Sequence, residues 1–134
     1  MLEQLILEND TALKLSHRIA VIKRSTRIEL FKRLDRTREW IEQNYSSAIS
    51  LEDMAAQANL NSQHFLRMFK QCYNTTPHQF LINKRLENAK RILASGHDSV
   101  SAVCSTIGFE SLSSFSWLFK QKFGVSPSKY RETC

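Results

Sequence analysis

Apolar residues recur at helical spacing along most of the chain. Between residues 77 and 95, Phe80, Leu81, Leu86, Ala89, Ile92 and Leu93 form one stripe, which predicts a single amphipathic helix opened by Pro77 and ended by Gly96. Upstream, Leu30, Phe31, Leu34, Ile41 and Tyr45 predict another helix over residues 27–45, packed by that side against the first of the units described below. Residues 1–24 carry Leu2, Leu5, Ile6 and Leu13, compatible with helix, but nothing there closes a core. Segment 1–26 is therefore read as a linker or the end of a preceding regulatory domain, and 27–134 as one domain.

A repeat organises that domain. Phe65, Phe69, Lys70, Gln71, Tyr73, Thr76, Pro77 and Phe80 return as Phe115, Phe119, Lys120, Gln121, Phe123, Ser126, Pro127 and Tyr130, each fifty residues on. Asn74 and Gly124 stand where a helix ends in left-handed geometry, and Thr-Pro or Ser-Pro then supplies an N-cap and a first helical residue. Ahead of each copy lie Ser50 to Ala55 and Ser99 to Cys104, at an offset of forty-nine. Ser50 with Asp53 makes a capping box, and Ala55, Ala56 and Ala58 let a following helix cross closely after the turn at Asn59-Leu60-Asn61; Gly108 makes the equivalent turn. The prediction is all-α: a helix-turn-helix over about 50–73, a connecting helix over about 77–95 and a second helix-turn-helix over about 99–123. Some 18 residues of connecting helix span roughly 27 Å, close to the roughly 34 Å between successive major-groove openings on one face of DNA.

Charge gives this architecture a partner. A formal charge of +6 and a pI near 9.5 favour a polyanion, and 3 Gly and 2 Pro in 134 residues suit helices rather than a many-stranded sheet. Cys72, Cys104 and Cys134 are odd in number and widely spaced, which suggests neither a disulfide framework nor a zinc site, and fits a reducing compartment. His17, His64, His78 and His97 lack ligand spacing, so no metal is expected. No phosphate loop or nucleophile elbow is present, and neither an enzyme nor a cofactor is expected. The N-terminus has acids among its apolar residues and reads as neither a secretory signal nor a membrane span, so a cytoplasmic protein, held at the nucleoid by DNA, is expected.

The motifs L-E-D-M-A at 51–55, H-F-x-R-M-F-K at 64–70, T-P-x-x-F at 76–80, R-L-x-x-A-x-x-x-L at 85–93 and G-F-E-S at 108–111 come in fixed order. With F-x-x-x-F-K and S-P-x-x-Y-R between 115 and 131, the chain resembles the AraC/XylS family over about residues 36–131. The resemblance implies a homeodomain-like domain of about seven helices whose third and sixth enter successive major grooves. It also implies a preceding effector or dimerisation domain, absent from this chain, activation as the common mode, and RNA polymerase as a partner. The basic stretch from Lys23 to Arg38 is similar to the family's linker.

A helical wheel assigns faces within each unit. Phe65, Met68, Phe69 and Cys72 fall on the core side, leaving Gln63, Arg67, Lys70 and Asn74 outward with Leu66 at the flank. Gln63 suits adenine, Arg67 guanine, and Leu66 a thymine methyl. In the second unit Phe115, Leu118 and Phe119 point inward, and Leu112, Ser113, Ser116 and Trp117 are the base-reading candidates. Trp117 stands where the first unit has Arg67, either against a thymine methyl or folded on the domain. Phosphate candidates are Lys70 and Lys120, the helix starts at Ser50 and Ser99, and Lys84, Arg85 and Arg131. The competing readings are a helical protein-interaction adaptor, with no sequence preference on DNA, and a nonspecific DNA-binding protein, whose affinity tracks salt alone.

Overall fold

A computed structural model describes the backbone of residues 2–134 and the side chains of residues 11–134. Its helices are α1 (Leu2–Gln43), α2 (Leu51–Gln57), α3 (Ser62–Tyr73), α4 (Pro77–Ser95), α5 (Val100–Thr106), α6 (Leu112–Phe123) and α7 (Pro127–Glu132), with no strand among the described residues. Every helix after the first begins at a side chain that satisfies an otherwise unpartnered N–H. Ser50, Asn61, Thr76, Ser99, Ser111 and Ser126 each accept from the backbone three residues on. α3 and α6 both stop at left-handed residues, Asn74 at φ 59° and Gly124 at φ 84°, and Pro77 and Pro127 then open α4 and α7.

Two small cores result, one per unit. The first gathers Leu34 and Ile41 of α1, Met54 and Ala55 of α2, Phe65 and Phe69 of α3, and Leu81 of α4. The second gathers Leu86, Ala89 and Leu93 of α4 with Val103, Ile107, Phe115 and Phe119. α4 thus contributes to both, and Tyr45 packs against both, so the units share a spine instead of hanging on a tether. Burial of each fully enclosed Leu or Phe stabilises the fold by about 1.5–3 kcal/mol before entropy is counted, enough for four phenylalanines to anchor α3 and α6.

The structure adds to the expectation for α1 and corrects it at one residue. Segment 1–26, read as a linker or the end of a preceding domain, is helical from Leu2 and runs without a break into the expected helix, which ends at Gln43. No Gly or Pro lies anywhere between residues 1 and 50 to stop it. Phe31 is exposed rather than buried: Leu34 and Ile41 face the core, and Phe31, about 100° round the helix from Leu30, stands at its flank beside Met68 and Cys72 of α3. The side chains of Leu2, Leu5 and Ile6 lie outside the described residues, and Leu13 is exposed. Gly96 does end α4, in an extended conformation at φ −112° and not a left-handed one.

Candidate nucleic-acid interface

Each recognition helix is held by its aromatic residues. In α3 the rings of Phe65 and Phe69 lie 5.6 Å apart, and Phe69 meets Tyr73 at 4.7 Å and Phe80 at 5.8 Å. In α6 the same ladder recurs, Phe115 to Phe119 at 5.8 Å, then Phe123 at 4.7 Å and Tyr130 at 5.8 Å. Because these rings sit at i, i+4 and i+8, they fix the rotation of each helix and so decide which residues are left outside.

The outward face of α3 carries Gln63, Leu66, Arg67 and Lys70, all exposed. That of α6 carries Leu112, Ser113, Trp117 and Lys120, also exposed, with Ser116 half-buried. Trp117 is 62% exposed, so the indole does not fold into the core. Ser113 is less free than its exposure suggests, since its hydroxyl lies 2.9 Å from that of the N-cap Ser111. Cys72, placed inward by the wheel, is exposed: α3's last turn has left the core, and only Tyr73 follows the rings inward.

Four of the phosphate candidates are engaged elsewhere. Arg85 is buried at 8% exposure, its Nε donating to the Tyr45 carbonyl at 2.7 Å and its Nη2 to that of Ser47 at 2.8 Å. Burial lowers its pKa, opposed by the nearby Glu110. It closes the junction between the end of α1 and the spine instead of facing a ligand. Lys84 lies 3.4 Å from Glu42 and 3.5 Å from Glu87, half-buried between α1 and α4. Arg131 turns inward, Nη1 donating to the Asp98 carbonyl and Nε and Nη2 shut off from solvent. At Ser50 the capping box closes completely: Ser50 Oγ accepts from Asp53 N–H at 3.0 Å, and the Asp53 carboxylate takes the Ser50 N–H at 3.0 Å. That hydrogen bond from the Ser50 backbone holds the Asp53 pKa below its ordinary value, so the turn presents fixed negative charge beside Glu52. Ser99 differs, because α5 has no acid in its first turn, and Lys70 and Lys120 are exposed with no ion pair among the described residues.

One signal in the sequence against Arg85 as a phosphate contact was missed: the residue lies four positions from both Leu81 and Ala89, on the apolar stripe of α4. Gly108 answers it from the other side. At φ +97° it adopts a conformation suited to glycine, and a Cβ there would lie 2.8 Å from the Ser46 carbonyl oxygen and 3.1 Å from Arg85 Nε. A groove of about 520 Å³ beside α3 had no counterpart in the sequence pattern; Arg24, Arg27 and Phe31 of α1 line it with Met68, Gln71 and Cys72.

Two repeated units, each with an aromatic-anchored second helix presenting polar and apolar tips outward, match the helix-turn-helix domain family over residues 54–133. The chain belongs to the AraC/XylS family. The probable transcriptional regulator LumQ of Photobacterium leiognathi is 34% identical over 116 residues, covering 83% of this chain and 47% of that protein. The HTH-type transcriptional activator RhaS of Escherichia fergusonii is 33% identical over 100 residues, 75% of this chain and 36% of its own length. Among solved structures, the DNA-binding domain of AdpA, in complex with a target DNA, superposes with a TM-score of 0.73 at 29% identity, covering 75% of this chain and 91% of that one. The chain therefore spans under half the length of the curated relatives it matches. No helix among the described residues is long and apolar enough to cross a membrane.

Proposed function

We propose that this AraC/XylS-family chain binds double-stranded DNA sequence-specifically, seating α3 and α6 in successive major grooves, and serves a regulator that activates transcription by engaging RNA polymerase. The observation that carries this is the pair of outward faces, Gln63/Leu66/Arg67 and Leu112/Ser113/Trp117, on repeated units locked to one spine. The 19 residues of α4 make that spine about 28 Å long, so both faces can meet one side of a duplex without bending the protein. In support, the AdpA domain was solved on its target DNA, and RhaS is named an activator. Arg67 is the guanine reader and Gln63 the adenine reader, while Trp117 offers an apolar plane for a thymine methyl or sugar. Lys70, Lys120 and the α5 start at Ser99 remain the phosphate contacts. The reading assigns the chain no reaction.

The test is selection from a random duplex library of about 30 base pairs, long enough for two half-sites a helical turn apart. Wild type should enrich a bipartite motif. Arg67→Ala should lose about 1–3 kcal/mol and its discrimination in one half-site, and Trp117→Ala should weaken the other half with less change in sequence preference. No enrichment by any of the three proteins would refute sequence reading.

A further inference from the structure

The cations of α1 differ along the helix. Over the packed half all but Lys32 lie beside an acid: Arg33 lies 3.5 Å and Arg36 3.8 Å from Glu29, and Arg38 lies 3.0 Å from both Asp35 and Glu42. Between residues 11 and 28 the sequence has Lys14, Arg18, Lys23, Arg24 and Arg27 and no acid. Arg18, Lys23, Arg24 and Arg27 are exposed and make no ion pair among the described residues. Two of these, Arg24 and Arg27, stand at a groove of about 520 Å³ between α1 and α3 that is otherwise mostly apolar, walled by Ile28, Leu30, Phe31 and Met68, so their charge is its chief polar feature beside Gln71. Gln71 lies four residues beyond Arg67, so the groove opens beside the recognition face of the first unit.

We propose that Arg24 and Arg27 grip the phosphate backbone of the DNA flanking the half-site read by α3, on its outer side. The proposal rests on the DNA reading above and adds to it a contact that lengthens the footprint beyond the two major-groove readers. Residues 11–23, exposed throughout, carry the helix about 20 Å beyond that groove, more than half a turn of duplex. The same stretch exposes Leu15, Ile19 and Ile22 at coiled-coil spacing, which raises a second copy of the chain as the rival occupant. Charge decides against it. Two such stripes packed in parallel would set Arg18 of one copy against Lys23 of the other, cation against cation, whereas a phosphate strand complements them all.

The test uses the whole chain and two duplexes carrying the selected bipartite site, one ending flush with the outer edge of the first half-site and one continuing for about 10 base pairs. Wild type should bind the longer duplex roughly 10- to 30-fold more tightly at about 150 mM salt, with a salt slope steeper by about 2. Arg24→Ala/Arg27→Ala, which puts good helix formers at exposed positions, should erase that difference at unchanged helicity and bind the shorter duplex as wild type does. Arg24→Glu/Arg27→Glu should bind the longer duplex more weakly still. If both variants bind both duplexes as wild type does, while Arg67→Ala remains impaired on each, this proposal falls and the DNA reading stands. If the variants change the sedimentation of the free protein and leave the salt slope alone, the groove belongs to a second copy and the proposal is overturned. Loss of all preference for the selected site by wild type strikes the underlying reading instead.

Discussion

Truncating Arg85 to alanine removes two charge-assisted hydrogen bonds from the junction of the two units. Its Nε and Nη2 donate at 2.7 and 2.8 Å to the carbonyls of Tyr45 and Ser47, and its guanidinium lies 5.7 Å from the Phe109 ring centre. Hydrogen bonds to a charged group contribute about 1.5–3 kcal/mol each, or about 3–6 kcal/mol for the pair. Against this stands the desolvation of a buried cation, and water can reach the exposed Ser47 carbonyl in the variant, so the net loss should be about 2–4 kcal/mol. That is a large part of the roughly 5–15 kcal/mol that holds a domain folded. In urea, followed by far-ultraviolet circular dichroism, the midpoint should fall by about 1–2 M at an unchanged slope. Arg85→Lys keeps the charge but not the fork, and should recover only part of the loss. In buffer where the variants remain folded, the salt slope of DNA binding should match wild type, because no phosphate is lost. A variant within about 0.5 kcal/mol of wild type whose salt slope has dropped by about 1 would refute the buried role and return Arg85 to the DNA surface.

Backbone and cap geometry give two further outcomes. Gly108→Ala must hold φ +97° and place a Cβ 2.8 Å from the Ser46 carbonyl oxygen, whereas Gly124→Ala at φ +84° meets nothing within 4 Å. Gly124→Ala should cost about 1 kcal/mol and Gly108→Ala at least about 2–3 kcal/mol; equal urea midpoints would mean that crowding at the junction is not real. The second outcome concerns acid. Asp53 is held below its ordinary pKa in the fold, so its contribution is present above about pH 4 and is lost as the pH falls through the folded value. The melting difference between wild type and Asp53→Ala should therefore be full near pH 6 and shrink as the pH falls below the ordinary carboxylate range, and a difference constant under that titration would show that the cap does not depend on ionised Asp53.

What the sequence made legible was the part of the fold written in period and punctuation. The apolar ladder of α3 and α6, the left-handed stops at Asn74 and Gly124 and the Thr-Pro and Ser-Pro starts all lie where local chemistry alone decides the backbone. α4 accordingly has the bounds expected of it. Side-chain engagement was harder to read, because a surface arginine and a buried one look alike in a string. Arg131 and Lys84 find partners 33 and 42 residues away, and no local pattern encodes those contacts. Trp117 needed the structure for the same reason: its fate depended on whether a neighbouring helix would offer a pocket, and none does. The early half of α1 reads as compatible with helix and no further, because beside the stripe of Leu15, Ile19 and Ile22 it carries Leu13, Val21 and Ile28 on another side, and periodicity alone gives no sign of which side is covered.

The engaged cations bear on how the two units could act as one reader. Lys84 and Arg85 lie on consecutive positions of the shared spine, one tied to Glu42 of α1 and the other to the carbonyls just beyond the end of α1. A fold that commits positive charge to fixing the first unit to α4 holds the relative pose of α3 and α6 within a narrow range. Preorganisation of this kind removes an ordering cost at the moment of binding, so both half-sites are presented at the spacing already built into the protein. It also restricts which duplexes fit: a half-site displaced by one or two base pairs turns its groove away by about 35–70°, more than a packed helical junction can follow. The rigidity of the spine, set by residues that touch no base, then becomes part of the specificity, and a softened junction such as Arg85→Ala should accept altered spacing that wild type rejects.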